Sequence, residues 1–317
     1  MKLLFIIDPI QQLKSYKDTS IAMMRAAAAR GHALFVCEQH DLYLQQATVH
    51  IRATALTLQT GESWYQLGTS EDYLPSAFDA VLMRKDPPFD NEYLYSTYLL
   101  ELASQQGARV LNNPTAIRSW NEKLSVAKFP QFAPEFLVTN SNARIRDFLA
   151  HHHDIVVKPL DGMGGSGIFR LTEQDPNIGA ILETVTEYEQ RTIMAQRYLP
   201  AIKQGDKRIL VIHGAPAPYA LARIPKPGET RGNLAAGGKG VAQPLTERDW
   251  EIARTVGQTL KAEGLFLVGL DVIGEHLTEI NVTSPTGMVE IATQTDCNPA
   301  QLWLEALESI VTLEKIP

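Results

Sequence analysis

Residues 155–169 read IVVKPLDGMGGSGIF, and how that stretch folds decides the architecture. A β-branched apolar run ends at Lys158, and four glycines then fall within residues 162–167. Gly162, Gly164 and Gly167 match the G-x-G-x-x-G string of dinucleotide sites, but those require strand, tight turn and then a helix over the pyrophosphate. Here the glycines lead into Ile168-Phe169-Arg170-Leu171, another strand-like run, and Asp175-Pro176 then breaks the chain. Strand–loop–strand is the better fit. A hairpin tip without Cβ atoms can lay backbone N–H groups over phosphates, and it can equally be an ordinary turn. No G-x-x-x-x-G-K-[ST] run is present, which excludes a P-loop. Other segments must decide.

At 317 residues the chain is long enough for two or three domains. Its 44% apolar and 21% charged residues are ordinary for a globular protein. A net charge of −7 argues against a general nucleic-acid binder, though not against local basic sites for a small anion. Cys37 and Cys297 lie too far apart for a metal spacing or a disulfide framework. With no signal-like or long apolar segment, a cytoplasmic protein without membrane contact is expected. Cys37, inside LFVCE, is expected in the core.

The N-terminus reads as β-α-β: LLFII, then an alanine-rich helix after the capping run Asp18-Thr19-Ser20, a stop at Gly31, and ALFVCE. A second unit starts at AVLMRKDPPFD, where two prolines forbid continuation of the strand. The helix YLYSTYLLELASQQG and the strand ARVLNNP follow. The expected result is an open, mostly parallel sheet with ligands beyond the carboxyl ends of its strands, where Asp8 and Arg84 fall. Arg84 is thus a candidate ligand contact, or a surface cation. Asn113-Pro114 marks a boundary, and a smaller mixed unit runs to about residue 200. Strands RILVIHG and PYALARI, the stretch VGLDVIGEHLTEINVTSP and a final amphipathic helix complete the chain. The run His151-His152-His153 follows a helical segment; adjacent residues on a helix do not face one point, so a metal site is not expected there.

Four further stretches point to a nucleotide. Asn121-Glu122-Lys123 places a lysine 35 residues before Lys158, and two lysines beside a glycine flap can each offer a point charge to phosphates. Alone, Lys123 would be a solvated residue. Gln196-Arg197-Tyr198-Leu199-Pro200 could present backbone groups to a purine edge, or simply link two units. In GLDVIGEHLTEIN, a three-residue turn at Gly274–His276 would pair Asp271 with Glu279 and put Asn281 on the same face. Two carboxylates and an amide oxygen suit a hard divalent cation, Mg²⁺ first, completed by phosphates and water. A solvated edge hairpin is the bland alternative, disfavoured by the apolar neighbours Val268, Leu270, Val272, Leu277 and Ile280. Finally, residues 224–240 hold five glycines with Lys226, Arg231 and Lys239, the composition of a mobile lid that closes over anions.

Taken together, NEK, KPLDGMGG, GDKR, ARIP, GETRGNLAAGG and LDVIG…TEINVTSPT resemble the ATP-grasp superfamily, and within it the prokaryotic glutathione synthetases. The likeness runs from FIIDPI through LMRKDPPFD to NVTSPT. One departure is Val289, where the family usually carries a basic residue.

The resemblance implies an ATP-grasp α/β fold, α+β in its C-terminal parts, behind a Rossmann-like parallel-sheet domain. Its expected units are 1–120, a central lid subdomain 121–198, and 199–317 with the catalytic loop and metal site. It implies an ATP-dependent ligase that joins γ-glutamylcysteine to glycine through an acyl phosphate. Lys123, Lys158, Gly164, Gly165, Gln196, Tyr198 and Leu199 would hold ATP. Asp271, Glu279 and Asn281 would hold Mg²⁺ or Mn²⁺. Arg208 and Arg223, with Lys158, would serve the transferring phosphoryl group and the oxyanion. Arg84, Arg231, Ser284 and Thr286 would contact substrate, and Asp206 a second metal or a substrate amine. A homo-oligomer, dimer or tetramer, is expected. Rivals are another ATP-grasp carboxylate–amine ligase, a module that binds ATP without turnover, and a kinase, although neither H-R-D nor D-F-G is present.

Overall fold

A computed structural model of the chain describes residues 1–60, 63–229, 232 and 237–313. The N-terminal unit opens with β1 (Lys2–Ile6), α1 (Thr19–Ala29) and β2 (Ala33–Cys37). Asp18 caps α1 by accepting the Ile21 N–H, as its position before the alanine run requires. The chain then makes β3 (Leu42–Gln45), β4 (Thr48–Leu58) and β5 (Tyr65–Tyr73), an antiparallel excursion. It returns as β6 (Ala80–Met83), α2 (Asn91–Gln105) and β7 (Val110–Leu111). The resulting sheet runs β3-β4-β2-β1-β6-β7, with β5 on β4. Its parallel pairs are β1–β2, β1–β6 and β6–β7. The sequence does call for this parallel centre; β3 to β5 are an addition that makes the sheet mixed.

The central unit contains β8 (Phe136–Thr139), α4 (Asn142–His152), β9 (Asp154–Pro159), β10 (Phe169–Thr172), α5 (Ile178–Val185) and β11 (Ile193–Arg197), after the short α3 (Pro114–Ser119). Its sheet order is β10-β9-β11-β8, all antiparallel. β9 and β10 form the expected strand–loop–strand, with Val157 opposite Phe169. Alternation along β11 splits its side chains: Ile193 and Ala195 enter a core shared with Ile145, Ile155, Val157 and Leu182. Met194, on the other face, joins the main core.

The C-terminal unit has β12 (Asp206–Ile212), β13 (Ala215–Ile224), β14 (Lys239–Pro244), α6 (Glu247–Ala262), β15 (Leu267–Ile273), β16 (His276–Asn281), α7 (Met288–Gln294) and α8 (Pro299–Leu313). Its sheet runs β14-β13-β12-β15-β16. This unit shares its apolar cores with the N-terminal one: Phe5 and Met23 pack in the same cluster as Leu210, Phe266 and Trp303. Asn112, 5% exposed, ties the two together. Its amide donates to the carbonyls of Leu267 and Val282 and accepts from the N–H groups of Phe266 and Leu267. Four bonds from one buried side chain satisfy backbone groups that would otherwise be stranded. No helix among the described residues is long and apolar enough to cross a membrane.

Candidate active site

A cleft of about 680 Å³ lies where the three units meet, lined from β9, β11, β12, β15, β16 and the N-terminal loops. Lys158, near the end of β9, is 4% exposed, and Lys123, just before a short 3₁₀ turn, is 2% exposed. Both ammonium groups point at Glu279 Oε1, at 3.3 Å and 3.8 Å respectively. Lys123 also donates to the Gly162 carbonyl at 2.7 Å, which anchors the root of the glycine loop. Burial alone would raise the Glu279 carboxyl; Lys123 and Lys158 outweigh it and hold the group below its ordinary range. Gly164 and Gly165 line the cleft at φ of 64° and 82°, values that an L side chain resists. Gln196, Tyr198 and Leu199 form the adjoining wall. The Gln196 Nε2 is buried and has no hydrogen-bond partner among the described residues.

The opposite wall is built of charge. Arg208 on β12 grips Asp271 on β15 with both ends of its fork, Nε to Oδ1 and Nη2 to Oδ2. Arg223 on β13 reaches Asp271 Oδ2 at 2.8 Å and also donates to Asp206 Oδ2. Neighbouring antiparallel strands place these residues side by side: Arg208 lies opposite Asp271, and Asp206 opposite Arg223. Burial would raise Asp271, but the two guanidinium groups hold it far below the carboxylate range. Asp206 goes the other way. Burial pushes it up to about 7, against the pull of Arg223 and with repulsion from Asp271 and Glu279. Its Oδ1 is buried without a partner among the described residues.

The pairing of Asp271 with Glu279 is present, but through a different turn. Ile273 lies opposite His276, so only Gly274 and Glu275 make the turn, and a bulge beside Val272 supplies the extra residue. Asn281 lies opposite Gly269 and donates to its carbonyl at 3.2 Å. Among the described residues, no three His, Cys, Asp or Glu side chains already converge as a metal cage. Two facing carboxylates and an amide oxygen nevertheless match a cation that takes one or two carboxylates and completes its shell with phosphates.

The remaining candidates separate. Ser284 and Thr286 line the cleft, and Ser284 donates to Asp86. Arg84 does not line it: this buried guanidinium donates to Ser20 Oγ and the Pro285 carbonyl, beneath the 284–286 segment. Arg231 lies outside the described residues. Several lining residues have no part in the sequence-based assignment, among them Asp86, Glu122 and Gly232. Glu122 accepts from Thr283 Oγ1 at 2.9 Å. A Cβ on Gly232 would stand 2.2 Å from the Arg223 carbonyl, so only glycine fits that approach. The glutamate of NEK was the most visible of these, since it adjoins Lys123.

Comparisons with known proteins identify the fold and the family. The solved D-cycloserine synthetase DcsG superposes with a TM-score of 0.70 at 16% identity, covering 98% of this chain and 99% of that one. D-alanyl-alanine synthetase A from Vibrio cholerae gives 0.58 at 14% identity, with 98% of each chain covered. At such identities the likeness shows the fold, and the fold is that of the ATP-grasp ligases. Residues 1–118 match the prokaryotic glutathione synthetase N-terminal domain, and residues 122–296 its ATP-grasp domain. Glutathione synthetase of Nitrosomonas europaea is 61% identical over 97% of this chain and 98% of its own length. That of Salmonella typhimurium is 51% identical, with 98% of each covered. The chain belongs to the prokaryotic glutathione synthetase family.

Proposed function

We propose that this cleft joins γ-glutamylcysteine to glycine at the expense of ATP, with the two walls dividing the work. As a member of its family, the chain is an ATP-dependent ligase that forms glutathione. What carries the assignment of roles is one meeting: Lys123 and Lys158, from different segments, converge on Glu279 beneath a loop of bare glycine backbone.

A carboxylate is a poor acyl donor, so the cysteinyl carboxylate must first take the γ-phosphoryl group. Lys123 and Lys158 bring positive charge to the phosphates, and the N–H groups around Gly164 and Gly165 close over them. Gln196, Tyr198 and Leu199 face the adenine, where the unspent Gln196 donor would find an acceptor. Asp271, Glu279 and Asn281 would hold Mg²⁺, or Mn²⁺, which when bound neutralises charge on the phosphate oxygens. Releasing Asp271 from arginine for that purpose frees the Arg208 and Arg223 forks for the acyl phosphate and the oxyanion formed when glycine's amine attacks. Ser284 and Thr286 orient the peptide, and Asp206 faces the incoming amine or a second cation. Residues 224–240, Arg231 included, would exclude water from an intermediate that it would hydrolyse.

In terms of units, 1–120 would receive the peptide, 121–198 would cover the nucleotide and 199–317 would carry the chemistry. The substrates are small molecules; assembly into a homodimer or tetramer in the cytoplasm completes the proposal. The test is to supply ATP, Mg²⁺, γ-glutamylcysteine and glycine, omit each in turn, and follow ADP and the mass of the product. ADP formation that persists without γ-glutamylcysteine or glycine would exclude the coupled ligase.

A further inference from the structure

The cleft extends past the carboxylate–arginine wall into the N-terminal unit, where Asp8, Lys14, Lys17, Asp18 and Asp86 line it. This end carries both signs of charge. Its three carboxylates are not equivalent. Asp8 is committed to Lys85 at 2.7 Å and to the Asp86 N–H at 2.9 Å. Asp18 caps α1 through Oδ1, which accepts the Ile21 N–H. Asp86 accepts the Ser284 hydroxyl on Oδ1, and its Oδ2 takes no hydrogen bond among the described residues. The Tyr93 hydroxyl is buried without a partner among the described residues, in the field of Arg84, Glu122, Asp86 and Asp8. The Ser284 contact sets an upper bound on the distance to the chemistry. Ser284 lies three positions after Asn281, so their Cα atoms are at most about 11 Å apart. An extended dipeptide with its activated carboxylate beside Asn281 is long enough to reach Asp86 with its far end.

That far end is chemically distinctive. A γ-linked glutamyl residue keeps a free α-ammonium and a free α-carboxylate on one carbon, which no α-linked peptide does at that distance from its activated carboxylate. We propose that Asp86 recognises the α-ammonium of the γ-glutamyl head, with Lys14 and Lys17 facing its α-carboxylate, so that this end of the cleft selects an amino-acid zwitterion. Lysines serve as point charges here, and a carboxylate accepts the charge-assisted bonds of an ammonium. Asp86 is exposed along the cleft, yet desolvation by its surroundings raises its carboxyl, and Asp8 and Asp18 repel it further, against the pull of Ser284 and Arg84; an arriving cation relieves that repulsion. Ser284 holds the carboxylate toward the cleft, while the hidden Arg84 steadies the segment through the Pro285 carbonyl.

This inference rests on the proposed ligase activity, and the test separates the two. The probes are γ-glutamylcysteine, glutarylcysteine, which lacks the ammonium, and 4-aminobutanoylcysteine, which lacks the α-carboxylate. The parent enzyme should reject each analogue by roughly 10- to 100-fold in kcat/KM, the worth of a charged hydrogen bond. In Asp86→Asn the discrimination against glutarylcysteine should collapse toward unity, while that against 4-aminobutanoylcysteine persists. Lys14→Ala/Lys17→Ala should show the converse. KM for ATP and glycine should stay within about twofold in both variants, a split that a general loss of structure would not give. No turnover of γ-glutamylcysteine by the parent would remove the ligase assignment itself. Turnover with equal acceptance of glutarylcysteine, or full discrimination in a folded Asp86→Asn, would overturn this inference alone. If Asp86→Asn fails to fold, the parent's response to the two analogues still decides.

Discussion

The two walls of the cleft are anchored differently. The Arg208–Arg223–Asp271 wall stands on a sheet whose apolar cores are shared with the N-terminal unit and whose strand ends are clamped by Asn112. The lysine-and-glycine wall stands on the central sheet, which keeps a small core of its own, from Ile145 to Ala195. The first is a fixed frame; the second is a smaller body resting on it through such contacts as Met194. Under the proposed roles that division helps, because the smaller body can shift over ATP while the backbone that carries Arg208, Arg223 and Asp271 stays in place.

The contrast breaks hardest at Arg223. Arg223→Met leaves Asp206 and Asp271 facing each other without a shared cation. Removing one partner of a buried pair costs about 3–5 kcal/mol, and turnover should fall below detection. Denaturant unfolding and the ADP assay measure the two effects. A stable, active variant would mean that the frame does not depend on this cluster.

Next is the central core. Leu182, 1% exposed, packs only within that unit. Leu182→Ala should cost about 2–5 kcal/mol there. Hydrogen exchange should accelerate at β9 and β11 and stay unchanged at β1 and β15. Equal acceleration everywhere would show one cooperative body instead of two.

Asp206 sharpens the electrostatic side of the comparison. Its folded pKa of about 7 lies above the ordinary 3.8, so between those values the folded chain holds a proton that the unfolded chain has released. Stability on its account therefore declines as pH rises from about 4 to 7. Asp271 and Glu279, both lowered, have the opposite sign: they stabilise at neutral pH and lose that contribution on acidification. Asp206→Asn should match the parent near pH 4 and exceed it by ~1–3 kcal/mol at pH 8. Melts across that range check this. A variant whose advantage shrinks as pH rises would show that Arg223 holds Asp206 as an anion throughout.

Local chemistry was legible in the sequence; long-range partnership was not. Asp18 announces its helix because a cap acts within three residues, and the β9–β10 hairpin follows from its turn chemistry. The facing of Asp271 and Glu279 emerges from strand alternation even though the turn differs, because a bulge restores the parity that a shorter turn removes. The alternating TVHIRATALTL of β4 was available as a strand signal but sits outside the β-α-β pattern. Asn112 gave no sign, since its four partners lie 154 to 170 residues away. Arg84 gave no sign of its partners for the same reason: it stands at the end of a parallel strand, while Ser20 and Pro285, which accept from it, lie 64 and 201 residues away.

The smallest expected effect completes the comparison with Arg223. Arg170 on β10 forms a bidentate pair with Asp154 at 2.9 Å and 2.6 Å, geometry as good as any in the frame. Its side chain is 37% exposed, however, and water screens what the interior would not. The same guanidinium lies 3.8 Å over the Tyr198 ring, on the wall assigned to adenine. Arg170→Ala should therefore cost no more than about 1 kcal/mol in stability. Loss of the stacked cation should weaken ADP binding by only about two- to fivefold, the range of an exposed cation–π contact. Calorimetric titration with ADP and thermal melts measure both. A loss as large as that of Arg223→Met would show that surface pairing, as well as the small core, holds the central unit in register with the frame.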